Sequence, residues 1–346
     1  MTIELLDSWL APDGASALII KENLEPVTGP DGVFFPPTFA PPEDKKDVSP
    51  SYVIDREGNR SVCLVDSVGS QANRLEPIFM ESPYSELVPQ VTITVNDRRV
   101  NLLNVGHRAA DALVRSTALG QDIQAAFIAC ANGDLTPIAK IAPTSIVFGA
   151  WDSRGTQVKL PRVLESTIRA YDVMQLTRAA QYFSDLDNNE IDVLFESEDK
   201  KNRKLLSKAG YLDSPSGSTH GGVVARGGIL RTTILNLVSI RALGAADGEK
   251  KTRLQRYILG LALTAAFSRS EMSLRTGCLL VRAAGSDPQP TLVSRNGDRT
   301  PSNLTLKELT AYASQAAKEF GVGESREVVF DPKIAKQLLV KAKGKE

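Results

Sequence analysis

The sequence predicts an α+β fold, because stretches of strand-like alternation are interspersed with stretches of helical periodicity. SYVIDREGNRSVCLVD contains two strand-like runs around a Gly-Asn turn, and QVTITVNDRRVNLLNV reads as a hairpin through Asn96 and Asp97. RLQRYILGLALTAAFS is the clearest helix, since Leu254, Ile258 and Leu261 recur on one face. Long insertions separate these elements, which favours an elaborate mixed domain.

The remaining elements are predicted from local composition. ALIIKENLEPV and LRTGCLLVRAAG have the character of strands, and PTSIVFGAWDSRGT reads as a buried strand that leaves through a polar turn. GHRAADALVRSTA and TLKELTAYASQAAKEFG, which ends in a Gly, are predicted helices, and DPKIAKQLLVKAK is a basic amphipathic tail. LPRVLESTIRAYDVMQL and ILRTTILNLVSIRAL are each compatible with either a strand or a helix.

The chain is interpreted as a single domain, residues 1–346, with insertions. Prolines prevent regular structure in residues 26–50, so this segment is predicted to be a surface loop. Residues 185–222 begin acidic and continue as a basic Gly/Ser-rich stretch, which predicts a flexible insertion. Residues 286–346 form a C-terminal extension.

Composition indicates a soluble, cytoplasmic protein. The chain has 42% hydrophobic and 24% charged residues, as globular proteins do. It lacks an apolar run of about 18 residues, which a membrane-spanning helix would need. The start is acidic, where a signal peptide would carry a basic end. Three scattered cysteines suit a reducing compartment and form no disulfide framework or zinc motif.

A formal net charge of zero argues at first against nucleic-acid binding, but the charges are unevenly distributed. Residues 1–50 hold nine acids and three bases, and residues 185–199 hold seven acids and no base. Residues 201–282 hold fourteen bases and four acids. A basic half of this kind can attract phosphates locally.

The stretch DSVGSQANRLE, residues 66–76, concentrates neutral hydrogen-bonding groups beside one cation. Helical spacing places Ser67, Gln71 and Arg74 on one stripe, while the other stripe carries apolar residues that can pack on a sheet. Asp66 or Ser67 can cap the helix, and Gln71, Asn73 and Arg74 can bond to phosphate, ribose or base edges. The alternative interpretation is an ordinary capped surface helix.

Further basic candidates lie in three stretches, each with a structural alternative. Arg108 and His107 contact a ligand or belong to a solvated helical ion-pair chain. Arg154 is exposed in a phosphate-binding turn or in an ordinary hairpin loop. The stretch SGSTHGGVVARGGILRTT offers His220, Arg226 and Arg231 to an extended polyanion, or is a disordered loop.

Catalytic and metal motifs are sparse, which indicates a protein that is not an enzyme. DLDNNEIDVLFE resembles a calcium loop, but Glu190 replaces the glycine that the turn requires, so no metal site is predicted. HExxH, GxSxG, CxxC and Walker motifs are missing from the sequence, and no cofactor is predicted. A nuclease that uses His220 as a general acid stays open.

Five blocks together resemble a known family. LVDSVGSQANRLEPIF, HRAADALVRS, SIVFGAWDSRG, VVARGGILRTTILNLVSIRAL and RYILGLALTAA occur in order between about residues 15 and 285. They resemble CRISPR-associated proteins of the RAMP superfamily, specifically the backbone subunit (Cas-seven family) of the type I-U, or I-G, Cascade complex. The resemblance implies an RRM-like (ferredoxin-like) palm with large finger and thumb insertions. Residues 185–222 are the preferred thumb, and the QVTITVNDRRVNLLN hairpin is the second candidate.

The resemblance also implies a function. The protein would be a non-catalytic scaffold whose copies assemble along the guide RNA (crRNA), and the guide would pair with target DNA. Its partners would be the guide, neighbouring copies and other Cascade subunits, without a membrane. The expected RNA-binding residues are Ser67, Gln71, Asn73, Arg74, Arg108, Arg154, His220, Arg226 and Arg231. One alternative is a metal-independent RAMP endoribonuclease that uses His220. The other is an enzyme that binds a small phosphorylated ligand at the glycine- and arginine-containing stretch SGSTHGGVVARGGILRTT.

Overall fold

The computed structural model describes residues 2–41, 43, 51–186, 188–194, 203–268 and 271–343. The helices are α1 Thr2–Leu10, α2 Val68–Leu75, α3 Ala112–Arg115, α4 Gly120–Ala131, α5 Thr136–Ile141, α6 Thr144–Val147, α7 Asn188–Leu194, α8 Arg203–Lys208, α9 Leu237–Arg241, α10 Gly248–Phe267, α11 Leu306–Phe320 and α12 Pro332–Lys343. Short 3-10 turns span Glu76–Met80, Tyr84–Leu87, Leu102–Asn104 and Arg108–Ala110.

Half of the described strands belong to one large antiparallel sheet, and the others form smaller sheets of two or three strands. The strands are β1 Ala17–Pro26, β2 Thr38–Phe39, β3 Ser51–Tyr52, β4 Ile54–Glu57, β5 Arg60–Asp66, β6 Val91–Val95, β7 Arg98–Asn101, β8 Ala150–Trp151, β9 Lys159–Leu160, β10 Leu164–Tyr171, β11 Val173–Tyr182, β12 Ser214–Ala225, β13 Ile229–Asn236, β14 Ser273–Arg275, β15 Cys278–Arg282, β16 Thr291–Val293, β17 Arg299–Pro301 and β18 Arg326–Val329. The order in the main sheet is β14-β15-β1-β13-β10-β5-β4.

The main sheet has one buried face and one open face. Leu18 and Ile20 of β1 are buried, whereas Lys21 and Asn23 are exposed. Side chains alternate along a strand, so each strand contributes its buried residues to one face only. The buried face packs against α2 and α10, and both belong with α11 to the same hydrophobic cluster as β1.

Helix α10 is the central element of that cluster. Tyr257 is fully buried, donates its hydroxyl to the Leu87 carbonyl at 2.7 Å and stacks on Phe320 at 4.7 Å between ring centroids. The backbone of α11 approaches α10 at Gly260, where an added Cβ would lie 2.8 Å from the Cα of Ala313. The missing side chain of Gly260 therefore sets the distance between the two helices.

A long two-stranded arm extends from the middle of the sheet. Its strands β11 and β12 are continuous in the chain with β10 and β13, and α7 and α8 lie between β11 and β12. A small cluster of Ile191, Leu206 and Leu212 is buried there. Near the base, Phe34 forms a β-bridge with Val223 and so joins the proline-rich segment to the arm.

Most element predictions are confirmed, including the α+β mixture, α2, α10, α11 with its left-handed cap at Gly321, and the β6–β7 hairpin with a positive φ at Asn96. The two ambiguous stretches form β10 with β11, and β13 followed by α9. Pairing with neighbouring strands decides the first case and the strand part of the second.

Three predictions are wrong. GHRAADALVRSTA does not form one helix, because Asp111 has an extended backbone between the 3-10 turn Arg108–Ala110 and α3. The stretch PTSIVFG contains the helix α6, not a buried strand. All four residues of α6 are buried, and a short run of apolar residues looks the same in a buried helix as in a buried strand. Part of the Gly/Ser-rich stretch is the strand β12, not a flexible loop. Its glycines permit close packing, since a Cβ at Gly221 would lie 2.6 Å from the Thr177 carbonyl oxygen.

Several predicted segments extend beyond the described residues. Residues 42 and 44–50 of the proline-rich segment and residues 187 and 195–202 of the 185–222 insertion lie outside them. Asp187 and Glu196 of the calcium-like stretch are therefore also outside. Within the described ranges, no helix combines the length and apolar character needed to cross a membrane.

The contact at Gly260 generates a stability prediction. We expect Gly260→Ala to lower the free energy of unfolding by about 1–3 kcal/mol, because the new methyl group overpacks the α10–α11 interface. Gly248→Ala in the same helix is the matched control, since nothing lies within 4 Å of its added Cβ. The control should be neutral or stabilise by up to about 1 kcal/mol. Urea unfolding followed by circular dichroism measures both, and equal effects would contradict the proposed packing.

Candidate nucleic-acid interface

Helix α2 begins where strand β5 ends. Ser67 is its N-cap, with an extended backbone and a side-chain oxygen that accepts from the Ser70 amide at 3.3 Å. This confirms the predicted cap. Asp66, directly before the cap, is only 1% exposed, so its carboxylate needs partners inside the protein.

A chain of hydrogen bonds connects Asp66 to the centre of the sheet. Gln71 donates its amide nitrogen to Asp66 Oδ2 at 2.7 Å, and its amide oxygen accepts from the Ser166 hydroxyl at 3.0 Å. Thr233 donates in turn to Ser166 at 3.0 Å. Because Ser166 lies on β10 and Thr233 on β13, this chain fixes α2 to two central strands.

Two arginines also converge on the same carboxylate. Arg74 Nε lies 3.2 Å from Asp66 Oδ2, and Arg275 Nη2 lies 3.5 Å from Oδ1. Their side chains are 30% and 27% exposed, whereas the carboxylate is buried. The two cations exceed the one anion, so this group presents a net positive charge to solvent.

A second buried ion pair lies at the other end of α2. Arg108 has a positive φ of 52°, and its Nε is 2.7 Å from Glu76 Oε2. The same guanidinium donates to the Gly149 carbonyl at 3.2 Å and to Asn73 Oδ1 at 3.1 Å, and lies over the Phe148 ring. Burial raises the pKa of Glu76 to about 7, against the lowering effect of Arg108.

Arg108 thereby joins α2 to the loop that carries Arg154. Beyond Gly149, Asp152 accepts from the amide and hydroxyl of Thr156 at 2.7 and 2.9 Å and lies 3.4 Å from Arg115. The loop is therefore braced from within. Arg154 projects from it as an exposed cation.

The outward side of α2 carries Gly69, Ser70 and Asn73, which we call the α2 surface. An added Cβ at Gly69 would meet nothing within 4 Å, so the helix backbone is open to close approach there. Arg74, one helical turn after Ser70, borders this surface. Small neutral donors beside partly exposed cations can bind a sugar–phosphate backbone without reading its bases.

The structure brings most predicted site residues together but separates three. Ser67, Gln71, Asn73, Arg74 and Arg108 lie on or against α2, and Gly149 connects them to the Arg154 loop. The other three, His220, Arg226 and Arg231, lie elsewhere. Their contact with RNA stays a prediction.

Each separated residue has its own partners. His220 Nε2 is 3.3 Å from the Ser51 hydroxyl, and its ring meets Tyr52 edge to face. Arg226 forms an exposed ion pair with Asp31 at 3.1 Å. Arg231 is 3% exposed and forms an ion pair with Glu22.

The interior positions change the interpretation of three predicted residues. Gln71, Arg108 and Arg231 are buried in polar networks, so they do not form part of an open basic track in this structure. The sequence reasoning also missed Arg275 as a member of the Asp66 group. More than 200 positions separate the two residues, and no local pattern signals such a pair.

The comparisons with known proteins add a family similarity. Residues 18–175, somewhat less than half of the chain, match the family described as "CRISPR-associated protein GSU0053". The matched stretch contains all of α2 and β10 and nearly all of β1. This match supports a CRISPR-associated protein.

The other comparisons give less. A search of the curated proteins finds no match. Among solved structures, the chain is similar to one described as "CRISPR RNA-guided surveillance complex, pre-nicking", at 11% sequence identity over 94% of this chain and 100% of that chain. The TM-score is 0.36, which is too low to establish a shared fold.

Among the described residues, no group of His, Cys, Asp or Glu could hold a metal ion.

The Glu76–Arg108 pair generates a prediction about pH. The folded-state pKa of Glu76, about 7, lies above its ordinary value of 4.5, so the folded protein binds this proton more tightly than the unfolded chain. The resulting stabilisation is complete below pH 4.5 and is lost as the pH rises to about 7. Glu76→Gln cannot titrate.

We therefore expect the stability of Glu76→Gln, relative to the natural protein, to rise by on the order of 3 kcal/mol between pH 4.5 and 8. Urea unfolding at a series of pH values measures this difference. The control is Glu86→Gln, which removes a carboxylate at an exposed position. Parallel pH curves for Glu76→Gln and the natural protein would contradict the burial argument.

Proposed function

We propose that this chain is a non-catalytic guide-RNA scaffold of a CRISPR Cascade complex, of the RAMP backbone (Cas-seven) kind found in type I-U/I-G systems. The family match over residues 18–175 supports this proposal. The observation that carries it is the α2 surface, whose neutral donors stand on a helix locked to the sheet through Asp66, beside the partly exposed cations Arg74 and Arg275. Copies of the chain would line up along one guide and present it to target DNA, together with other Cascade subunits in the cytoplasm.

The order of the central strands is consistent with an RRM-like palm. The chain passes through β1, a crossover that contains α2, then β10 and β13, the crossover helix α10 and β15. In the sheet these strands lie in the order β15-β1-β13-β10 and pair antiparallel. A ferredoxin-like βαββαβ unit has the same order of elements.

We assign the thumb to the β11–β12 arm. It is inserted between β10 and β13 and leaves the body of the protein, as a thumb must. The assignment extends the predicted segment 185–222 toward the sheet, to residues 173–225. The alternative hairpin, β6–β7, pairs with β18 instead and contributes Val91 and Ile93 to the main core.

The α2 surface would hold the guide through its backbone. Ser70, Asn73 and the Gly69 backbone can meet riboses and phosphates, and Arg74 adds charge. We place Gln71 and Arg108 behind this surface, where they orient α2 and the Arg154 loop. Such a scaffold accepts any spacer sequence because its contacts avoid the base edges.

The endoribonuclease alternative would require His220 to move a proton at RNA. In this structure the His220 ring packs on Tyr52, and its Nε2 lies within hydrogen-bond distance of the Ser51 hydroxyl. Because both residues belong to β3, these two contacts attach the arm to β3. Purified protein that leaves a repeat-spacer RNA intact would count against the nuclease. A discrete product that His220→Ala abolishes would replace our proposal.

Ser70 provides a sharp test of the α2 surface. Ser70 is the third residue of α2, so Ser70→Glu creates a capping box with Ser67 and should leave the helix at least as stable. The added charge would face the guide phosphates, and we expect RNA affinity to fall by roughly tenfold or more. Ser70→Gln, which can also cap, is the matched neutral control. Fluorescence anisotropy with a labelled repeat-spacer RNA measures both, and equal affinities would remove α2 from the interface.

Assembly is tested by native mass spectrometry of the protein alone and with guide RNAs of increasing length. We expect masses that increase in steps of one protomer as the RNA lengthens and that collapse at high salt, since phosphate contacts are salt-dependent. A single mass that is unchanged by RNA would overturn the scaffold proposal.

A further inference from the structure

The two tryptophans of the chain lie in opposite environments. Trp9 is 3% exposed in α1, whereas Trp151 is 55% exposed at the end of β8. Tryptophan is well buried on average in folded proteins and is enriched among the residues that dominate binding surfaces. An indole that stays open to water therefore points to a binding partner.

Strand pairing places a cation beside this indole. Trp151 and Lys159 are directly opposite each other in the β8–β9 hairpin, and the Lys159 Nζ lies 5.5 Å from the centroid of the indole ring. This ammonium–aromatic contact favours one orientation of the ring. More than half of the Trp151 surface still faces solvent, so a second partner can approach it.

The hairpin is also positively charged. Between the starts of β8 and β10, the chain contains three basic residues, Arg154, Lys159 and Arg162. Asp152 is the one acid there, and its buried carboxylate lies 3.4 Å from Arg115; the next acid, Glu165, belongs to the open face of the main sheet. Among the residues that the structure describes, no ion pair includes any of the three bases. These cations can therefore attract an anionic ligand to the indole.

The loop of the hairpin closes tightly on Asp152, the residue after the indole. The Asp152 carbonyl accepts from the Gln157 amide at 2.9 Å, and Gln157 has a positive φ of 64°. An added Cβ at Gly155 would lie 2.3 Å from the Asp152 carboxylate, so only glycine fits there. A loop that is already ordered loses little conformational entropy when it binds a ligand.

The hairpin begins beside the α2 surface. The Arg108 guanidinium donates both to the Gly149 carbonyl, directly before β8, and to Asn73 Oδ1 on α2. Trp151 follows Gly149 by two residues, about 7 Å along an extended strand. A nucleic acid that lies on the α2 surface can therefore bring one of its bases to Trp151.

The surroundings of Trp151 favour a nucleic acid over a protein partner. The other exposed residues between Gly149 and Val163 are Arg154, Gln157, Lys159 and Pro161. The centre of a protein–protein interface is depleted of charged residues, and its aromatic anchors sit in well-packed pockets. A single aromatic ring among cations is instead what proteins use to bind single strands, where a base stacks on the ring and the cations contact the phosphates.

We infer that Trp151 stacks on an unpaired base of the guide RNA, next to the nucleotides on the α2 surface, while Arg154 and Lys159 contact the adjoining phosphates. The inference rests on the proposed function, because it supposes that the α2 surface holds the guide. Every base has an aromatic face, so this contact requires a single strand but accepts any sequence. It adds a contact with a base to the backbone contacts of α2.

The test uses Trp151→Leu in the full-length chain, with Trp151→Phe as the matched control that keeps an aromatic ring. Because Trp151 is exposed, both variants should fold, and circular dichroism melting checks this. Fluorescence anisotropy measures affinity for an unstructured 30-nucleotide RNA and, with guide-loaded protein, for a non-complementary single-stranded DNA. Competition by inorganic polyphosphate, which has the charge but no bases, measures the electrostatic part alone.

We expect Trp151→Leu to lose roughly fivefold or more in RNA affinity, as the loss of one stacked base implies, while Trp151→Phe stays within about twofold. The salt slope of Trp151→Leu should not change, whereas Arg154→Gln should lower it by about 0.7. All variants at Trp151 should bind polyphosphate equally. RNA should also quench the tryptophan fluorescence of the natural protein more than that of Trp151→Leu, whose remaining Trp9 is buried.

Equal RNA affinity of Trp151→Leu and the natural protein, with Ser70→Glu still impaired, overturns the inference and leaves the proposed function intact. A smaller assembled mass at unchanged RNA affinity also overturns it, because Trp151 would then contact a neighbouring protein. A loss for polyphosphate as large as that for RNA would show that the ring only shapes the hairpin, and a loss for DNA alone would overturn the assignment to the guide. Failure of the natural protein to bind RNA overturns both the inference and the proposed function.

Discussion

The carboxylate of Asp66 is the point on which the candidate interface depends. It is buried at the junction of β5 and α2, and a charge in that position is tolerable only when donors surround it. Gln71, Arg74 and Arg275 supply them from two directions, and Ser166 and Thr233 extend the network to the middle of the sheet. The orientation of α2, and therefore of every group on its outward side, follows from this one anion.

The two faces of the main sheet carry different kinds of side chain. Its buried face anchors α2 and packs on α10, while its open face exposes Lys21, Arg169, Glu165 and Ile234. The charges that sequence composition averages to zero are thus sorted by strand alternation, with Arg231 inward against Glu22 and Arg169 outward. A zero net charge says little about either face.

The sequence was informative wherever a local rule applied. The Ser67 cap, the left-handed Gly321 and the hairpin at Asn96 each have a short-range cause, and the structure confirms them. Contacts that depend on the tertiary fold could not be predicted from the sequence. Helical spacing does not show that the Gln71 side chain points into the sheet, and no residue near Arg275 in the sequence indicates its contact with Asp66. The glycines of β12 were misread because a glycine that permits close packing has the same letter as one that provides flexibility.

The arm has a consequence for mechanics. Its two strands are direct continuations of β10 and β13, joined through Asp172 on one side and the Arg226–Gly228 turn on the other. Those central strands also carry Ser166 and Thr233, the sheet end of the α2 anchor. A force applied to the arm is therefore transmitted through the backbones of β10 and β13 to the hydrogen bonds that hold α2. The arm and α2 are therefore coupled through the same two strands, β10 and β13.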